Sequence, residues 1–164
     1  MLIAAILVLP LTGECRPQKE KAVNKGKIAA IVNEYRGYDG VETVRLGRLG
    51  TAALKGVIKI SADDDPETRE LINNLKGVKS FTVFDFEDAA PSVKEKINTK
   101  LSRALEEVEL LMELKDGEDK MKMYGVCSDD GQKITDFILH SPSDCALICI
   151  YGTVSPEIIS TLNK

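Results

Sequence analysis

Residues 110–151 read LLMELKDGEDKMKMYGVCSDDGQKITDFILHSPSDCALICIY, and this stretch decides the architecture. Four strand-like runs, Leu110–Lys115, Lys120–Cys127, Lys133–His140 and Cys145–Tyr151, are separated by Asp116-Gly117, by Ser128-Asp129-Asp130-Gly131 and by Ser141-Pro142-Ser143-Asp144. Spacers of this kind reverse a chain tightly: Gly reaches positive φ, Asp and Ser bond the neighbouring backbone, and Pro presets φ. Consecutive runs then pair antiparallel, which predicts a four-strand meander.

Beyond the meander, Ser155-Pro156-Glu157 is a capped helix start, with Ile158, Ile159 and Leu162 as its apolar face. Upstream, Val93, Ile97, Leu101, Leu105 and Val108 recur at helical spacing, in a helix opened by Asp88 and Pro91. VKSFTVFDF at 78–86 alternates as a strand, with Phe81, Phe84 and Phe86 expected in the core. Asp65-Pro66-Glu67 starts a further helix that buries Leu71, Ile72 and Leu75 and stops at Gly77. Leu49, Ala53, Val57 and Ile60 follow helical spacing, with a strand at 57–61 as the alternative. GVETVRL at 40–46 is a half-exposed strand, and Ile28, Ile31, Val32 and Tyr35 form one face of a helix ending near Gly37. This order of elements indicates a two-layer α+β domain over residues 20–164, with a mainly antiparallel sheet and helices on one face.

Composition narrows the partners. The chain of 164 residues, 43% apolar, has material for one domain. With 22 basic against 26 acidic residues its net charge is −4, which supplies no field for a nucleic-acid backbone or an anionic lipid surface. With no Trp and eight Phe and Tyr together, it offers little for a carbohydrate-stacking platform or an aromatic hot spot.

The N-terminus points to export. Leu2–Leu11, LIAAILVLPL, carries no charge and is half the roughly 20 residues of a membrane span, the length of a signal-peptide core. No Lys or Arg precedes it, and the alternative is a strand or buried helix of the mature fold. Residues 1–19 are thus read as a signal plus short linker. Cys15 lies where a lipoprotein signal places its acylated cysteine, but Glu14 occupies the preceding position, normally small and neutral. Cleavage to a soluble exported form is weighed above lipidation of Cys15, the one route by which this chain would hold a membrane. Residues 9–13, LPLTG, match a sortase signal, but at the wrong end of the chain.

Reactive groups are few. Cys127, Cys145 and Cys149 form no CxxC pair and no Cys/His cluster, and are read as buried reduced thiols. Four residues of strand between Cys145 and Cys149 is about 13 Å, too far for a disulfide, and in the meander Cys149 is expected opposite Asp136. His140, the single histidine, is read as a solvent-exposed strand-end residue. Its neighbours Ser141, Ser143 and Asp144 are expected not to converge on one atom. Asp63, Asp64 and Asp65, and Asp85, Glu87 and Asp88, are acidic clusters without a Ca²⁺-loop pattern. Gly37, Gly40, Gly47 and Gly50 make no phosphate-binding loop. No catalytic, metal or cofactor residue is assigned.

SFTVFDFEDA at Ser80–Ala89, LLMELKDGEDKMKMYG at Leu110–Gly125 and DCALICIYGTV at Asp144–Val154 resemble the family called domain of unknown function 4252. The resemblance covers residues 20–163. It implies a small exported protein of Gram-negative bacteria, a signal peptide followed by a single domain, and it carries no catalytic residue.

The leading expectation is a non-enzymatic envelope protein, a binding or assembly module. Its contact surface would be the exposed sheet face or an edge strand, 41–46 or 110–115, recruiting an envelope protein by strand addition. The alternative is a hydrolase using paired carboxylates from Asp85, Glu87 and Asp88, of which Asp85 and Glu87 are expected to share one strand face. A third reading is an adhesin or surface component.

Overall fold

In the computed structural model, which describes residues 22–48, 50–51, 77–117 and 119–156, each C-terminal run pairs with the next. Leu46 closes the first strand, β1 (Glu42–Leu46), and β2 follows at Val78–Asp85. The meander comprises β3 (Leu110–Asp116), β4 (Asp119–Cys127), β5 (Ile134–Ser141) and β6 (Ala146–Val154). The strand order is β1-β2-β6-β5-β4-β3, and every pairing is antiparallel. Two helices are described, α1 (Lys25–Tyr35) and α2 (Pro91–Leu105). The fold is α+β with a C-terminal meander, as its turn chemistry predicts. Arg48, Gly50 and Thr51 are helical, at the start of the helix expected from Leu49; the rest of that helix, the alternative strand at 57–61, the apolar faces of the helices expected at 65–77 and 155–162, and the signal segment lie outside the described residues.

The register differs from the expected one at the last turn. Residues 142–145 all belong to that turn and Ser141 faces Ala146, so Cys149 lies opposite Ile138 rather than Asp136. Cys145, with φ 52, completes the reversal in a left-handed conformation, and its carbonyl accepts the Phe86 N–H at 2.9 Å.

Alternation along the strands sorts side chains onto two faces. Phe84, Tyr124, Ile138, Leu147 and Cys149 join one buried cluster with Ile28, Ile31, Val32 and Tyr35 of α1 and Ile97, Leu101, Ala104 and Leu105 of α2. Phe86, just past β2, is also fully buried there. Burying each large apolar side chain stabilises the domain by about 1.5–3 kcal/mol. The residues that turn the opposite way, among them Met123, Ile134, Phe137, Leu139, Ile150 and Val154, form a second buried cluster, with Phe81 half-buried against it. Buried apolar residues thus lie on both faces of the sheet, and among the described residues its edges remain open for strand pairing.

The helix starts differ in chemistry. Asn24 caps α1, its Oδ1 accepting the Lys27 N–H at 3.0 Å. Asn24→Ala is expected to cost about 1 kcal/mol, read as a lower urea midpoint at unchanged m-value. In α2 the N-cap is Ala90, without a side-chain cap, and Pro91 begins the helix. Asp88, expected to open it, is exposed in the preceding turn, because the helix starts only where Pro supplies helical φ.

Candidate functional site

Four clusters carry the chemistry that the described residues bring together. The first surrounds His140. Its position at the end of β5 is as expected, but its exposure is not: residue 140 shares the parity of Ile138, so it points under α2 and is 1% exposed. Asn98 of α2 donates through Nδ2 to the Pro142 carbonyl at 3.2 Å. That orientation turns Oδ1 toward His140 Nε2 at 3.1 Å, so Nε2 carries the proton of the neutral ring. Burial, reinforced by the Lys122 charge paired across the strand, lowers the His140 pKa to about 4. A ring held neutral and covered by a helix is a packed core group, ill placed for proton exchange with a substrate.

The second cluster is the turn after β5. Ser141 Oγ donates to Asp144 Oδ2 at 2.5 Å and lies 3.4 Å from Ser143 Oγ, so these three residues do converge on one atom, contrary to expectation. Ser143 Oγ also accepts the Lys120 N–H at 3.0 Å, clipping the turn to β4. His140 points to the other face and takes no part, so the group is a turn clamp without a base. A shallow cleft of about 240 Å³ beside it is lined by Leu114, Asp116, Asp119, Ser141, Ser143 and Asp144, among others.

The carboxylates of the hydrolase reading do not share a strand face. β2 ends at Asp85, whose Oδ1 accepts the Glu87 N–H at 2.9 Å, while Glu87 and Asp88 are exposed in the turn that follows. Asp63, Asp64 and Asp65 lie outside the described residues. Among the described residues no group of three or more His, Cys, Asp or Glu is arranged to hold a metal ion.

The third cluster was not foreseen. Asp136 stands in β5 at φ 56 where the pairing with β6 slips between Thr135 and Phe137. Its Oδ1 accepts the Gly152 N–H at 3.1 Å and its Oδ2 pairs with Lys25 Nζ at 2.8 Å. That ammonium also sits 5.2 Å above the Tyr151 ring. Burial, then the adjoining Cys149 sulfur, pushes the Tyr151 phenol up, and burial pushes Cys149 up to about 12. Lys25, Asp136, Tyr151 and Gly152 border a cleft of about 420 Å³ that also includes Lys79, Ser80, Thr135 and Thr153. Both Asp136 oxygens are already engaged, so the cluster chiefly ties α1 to a bulged strand pair. A trace of it exists in the sequence: Ile134 and Phe137 fall in the same apolar cluster three residues apart, which strict alternation forbids.

The thiols divide. Cys145 and Cys149 are buried and free, as expected. Cys127 is disulfide-bonded, which corrects its reading as a reduced thiol. Spacing along one chain cannot reveal a pairing between distant segments.

The fourth feature is the pair of sheet edges. The strands expected to be open, 41–46 and 110–115, are the two outermost among the described residues, β1 and β3. Val44 on β1 is 53% exposed and Leu110 on β3 is 46% exposed. Arg45 of β1 is tied to α1 through Asn33 Oδ1 at 2.8 Å. On β3, Glu113 is bonded to Lys120 Nζ at 3.0 Å, and that hydrogen bond holds its carboxyl below the usual range. No described helix is long and apolar enough to cross a membrane.

A family model described as a domain of unknown function (DUF4252) matches residues 35–162. No curated protein and no solved structure matches the chain.

Proposed function

The chain belongs to the DUF4252 family, and from that premise we propose that it is an exported envelope protein acting as a binding or assembly module, with its sheet edges as the contact. The observation that carries this reading is the strand order: buried clusters lie on both faces of the sheet, whereas β1 and β3 each have a neighbour on one side only among the described residues. An open edge offers a row of backbone donors and acceptors that a partner strand can complete. The experiment is photo-crosslinking in a Gram-negative host, with the reactive residue placed at Lys115, at Val44, or at exposed Glu107 away from both edges. Adducts confined to the two edge positions support the reading. No adducts, together with hydrolysis of ester, phosphate or glycoside substrates abolished by Asp85→Asn, would replace it with the hydrolase.

Export draws support from the uncharged block Leu2–Leu11 and from the disulfide at Cys127, since such bonds persist in oxidising compartments. A soluble exported form is favoured over a lipid anchor on Cys15, because Glu14 occupies the preceding position that a lipoprotein signal keeps small and neutral. The intact mass of the mature product, for the wild type beside Cys15→Ser, tests this. A water-soluble product without acyl mass supports the soluble form; acyl mass on Cys15 overturns it.

A further inference from the structure

Resting on the edge-addition reading, we propose that the partner of β3 is the β3 of a second copy of this chain, joined about a two-fold axis at Leu114 to make one sheet continuous across the dimer. The slip between Leu110 and Met112 leaves Met112–Asp116 as the regular part of the strand, paired in unbroken register with β4, and Leu114 is its centre. A two-fold axis normal to the sheet at that residue places Leu114 against its own copy. It also places Glu113 against the second copy's Lys115, and Lys115 against the second copy's Glu113. Glu113 and Lys115 face Lys122 and Lys120 across β4 on one side of the sheet, and Leu114 faces Met121 on the other. The symmetric pairing therefore creates two opposite-charge cross-strand pairs on one face and an apolar contact on the other.

Charges on an edge strand ordinarily ward off other sheets. Here the symmetry matches them instead. The other edge lacks this property: about Val44, β1 would oppose Thr43 to Arg45 and Glu42 to Leu46, with no pair of opposite charges. Self-complementarity singles out β3, and an isologous contact closes at two copies rather than growing into a filament.

The test is sedimentation equilibrium of the mature chain over a range of concentrations. Wild type is expected to show a monomer–dimer equilibrium. Lys115→Glu brings two carboxylates together at both symmetric contacts, and Glu113→Lys brings two ammonium groups together there, so each variant alone is expected to associate about tenfold or more weakly. Their equimolar mixture restores both opposite-charge pairs and is expected to recover wild-type association as a heterodimer, which also shows that both variants are folded. Should Glu113→Lys fail to fold for want of its Lys120 partner, Lys115→Gln must fall between wild type and Lys115→Glu. A monomeric wild type, a mixture that fails to recover, or open-ended polymers would each overturn the self-pairing. If the wild type is monomeric while Lys115 still yields crosslinked adducts to another envelope protein, the edge-addition reading stands without this partner; if it yields none, the β3 part of that reading falls with it.

Discussion

Gly152→Ala is expected to destabilise the domain by about 3–5 kcal/mol, a large share of what a domain of this size possesses. Gly152 adopts φ 117, where L side chains are strained. A Cβ placed there would lie 2.3 Å from the Gly77 carbonyl oxygen and 2.9 Å from Lys79 N. These are backbone atoms at the start of β2 and just before it, and Gly77 O already accepts the Thr153 N–H at 3.1 Å, so neither side can yield without breaking the β2–β6 pairing. The Gly152 N–H is also the donor to Asp136 Oδ1, so a displaced backbone would loosen the tie between β6 and α1. Gly117→Ala separates the two components. Gly117 has φ 60, but a Cβ added to it would meet nothing within 4 Å, so its substitution carries only the left-handed penalty of about 1–2 kcal/mol. Urea unfolding of both variants measures the difference, and equal midpoints would show that the close approach of β6 to the start of β2 does not bind the fold.

The second large effect is a loss of stability in acid traced to His140. Its folded pKa of about 4 lies below the usual 6.5, so the unfolded chain binds the proton more readily than the folded one. The neutral ring's stability is fully present above pH 6.5. It falls progressively as the pH drops from about 6.5 to about 4, and changes no further below that, where both states are protonated. The total is about 3 kcal/mol. His140→Gln removes the titration. Its unfolding free energy, measured at intervals between about pH 7 and pH 4, is expected to follow a slope shallower than wild type by that amount, whatever offset the substitution introduces at neutral pH. Parallel curves would mean that protonated His140 is accommodated under α2. Glu113 and Asp130, whose carboxyls are held below their ordinary range by hydrogen bonds, act in more acidic solution and are common to both proteins.

The residues that were legible in advance and those that were not differ in the range of the interaction that governs them. Ile28, Ile31, Val32 and Tyr35 are the buried residues of α1, and Phe84 and Phe86 are fully buried, because a periodic apolar pattern needs only its own chain to be read. The same holds for the meander, whose turns carry their own backbone chemistry, and for the identification of 41–46 and 110–115 as edges. Asp88 is a partial miss within that local range: an acidic residue two positions before the cap resembles a helix start, but Pro91 decides where the helix begins.

The errors at the candidate sites all involve a second segment. His140 looked exposed because it ends a strand beside a polar turn; only the position of α2 over β5 buries it and supplies Asn98. Ser141, Ser143 and Asp144 converge because the turn folds back onto Lys120 of β4. Asp136 acquires its partners from α1 and β6. Cys127, indistinguishable in sequence from its free neighbours, is set apart by a disulfide bond.

By itself the sequence determined the α+β class, the four-strand meander, which residues fill the helix-covered core, and the family, because each follows from propensity, turn chemistry and apolar period over a few neighbouring residues. Only the tertiary structure decided that buried clusters lie on both faces of the sheet, which thiols are free, and that His140 is held neutral. These depend on the desolvation and pairing of groups far apart in the chain, and such energies exist only once the chain has brought the groups within a few ångströms of one another.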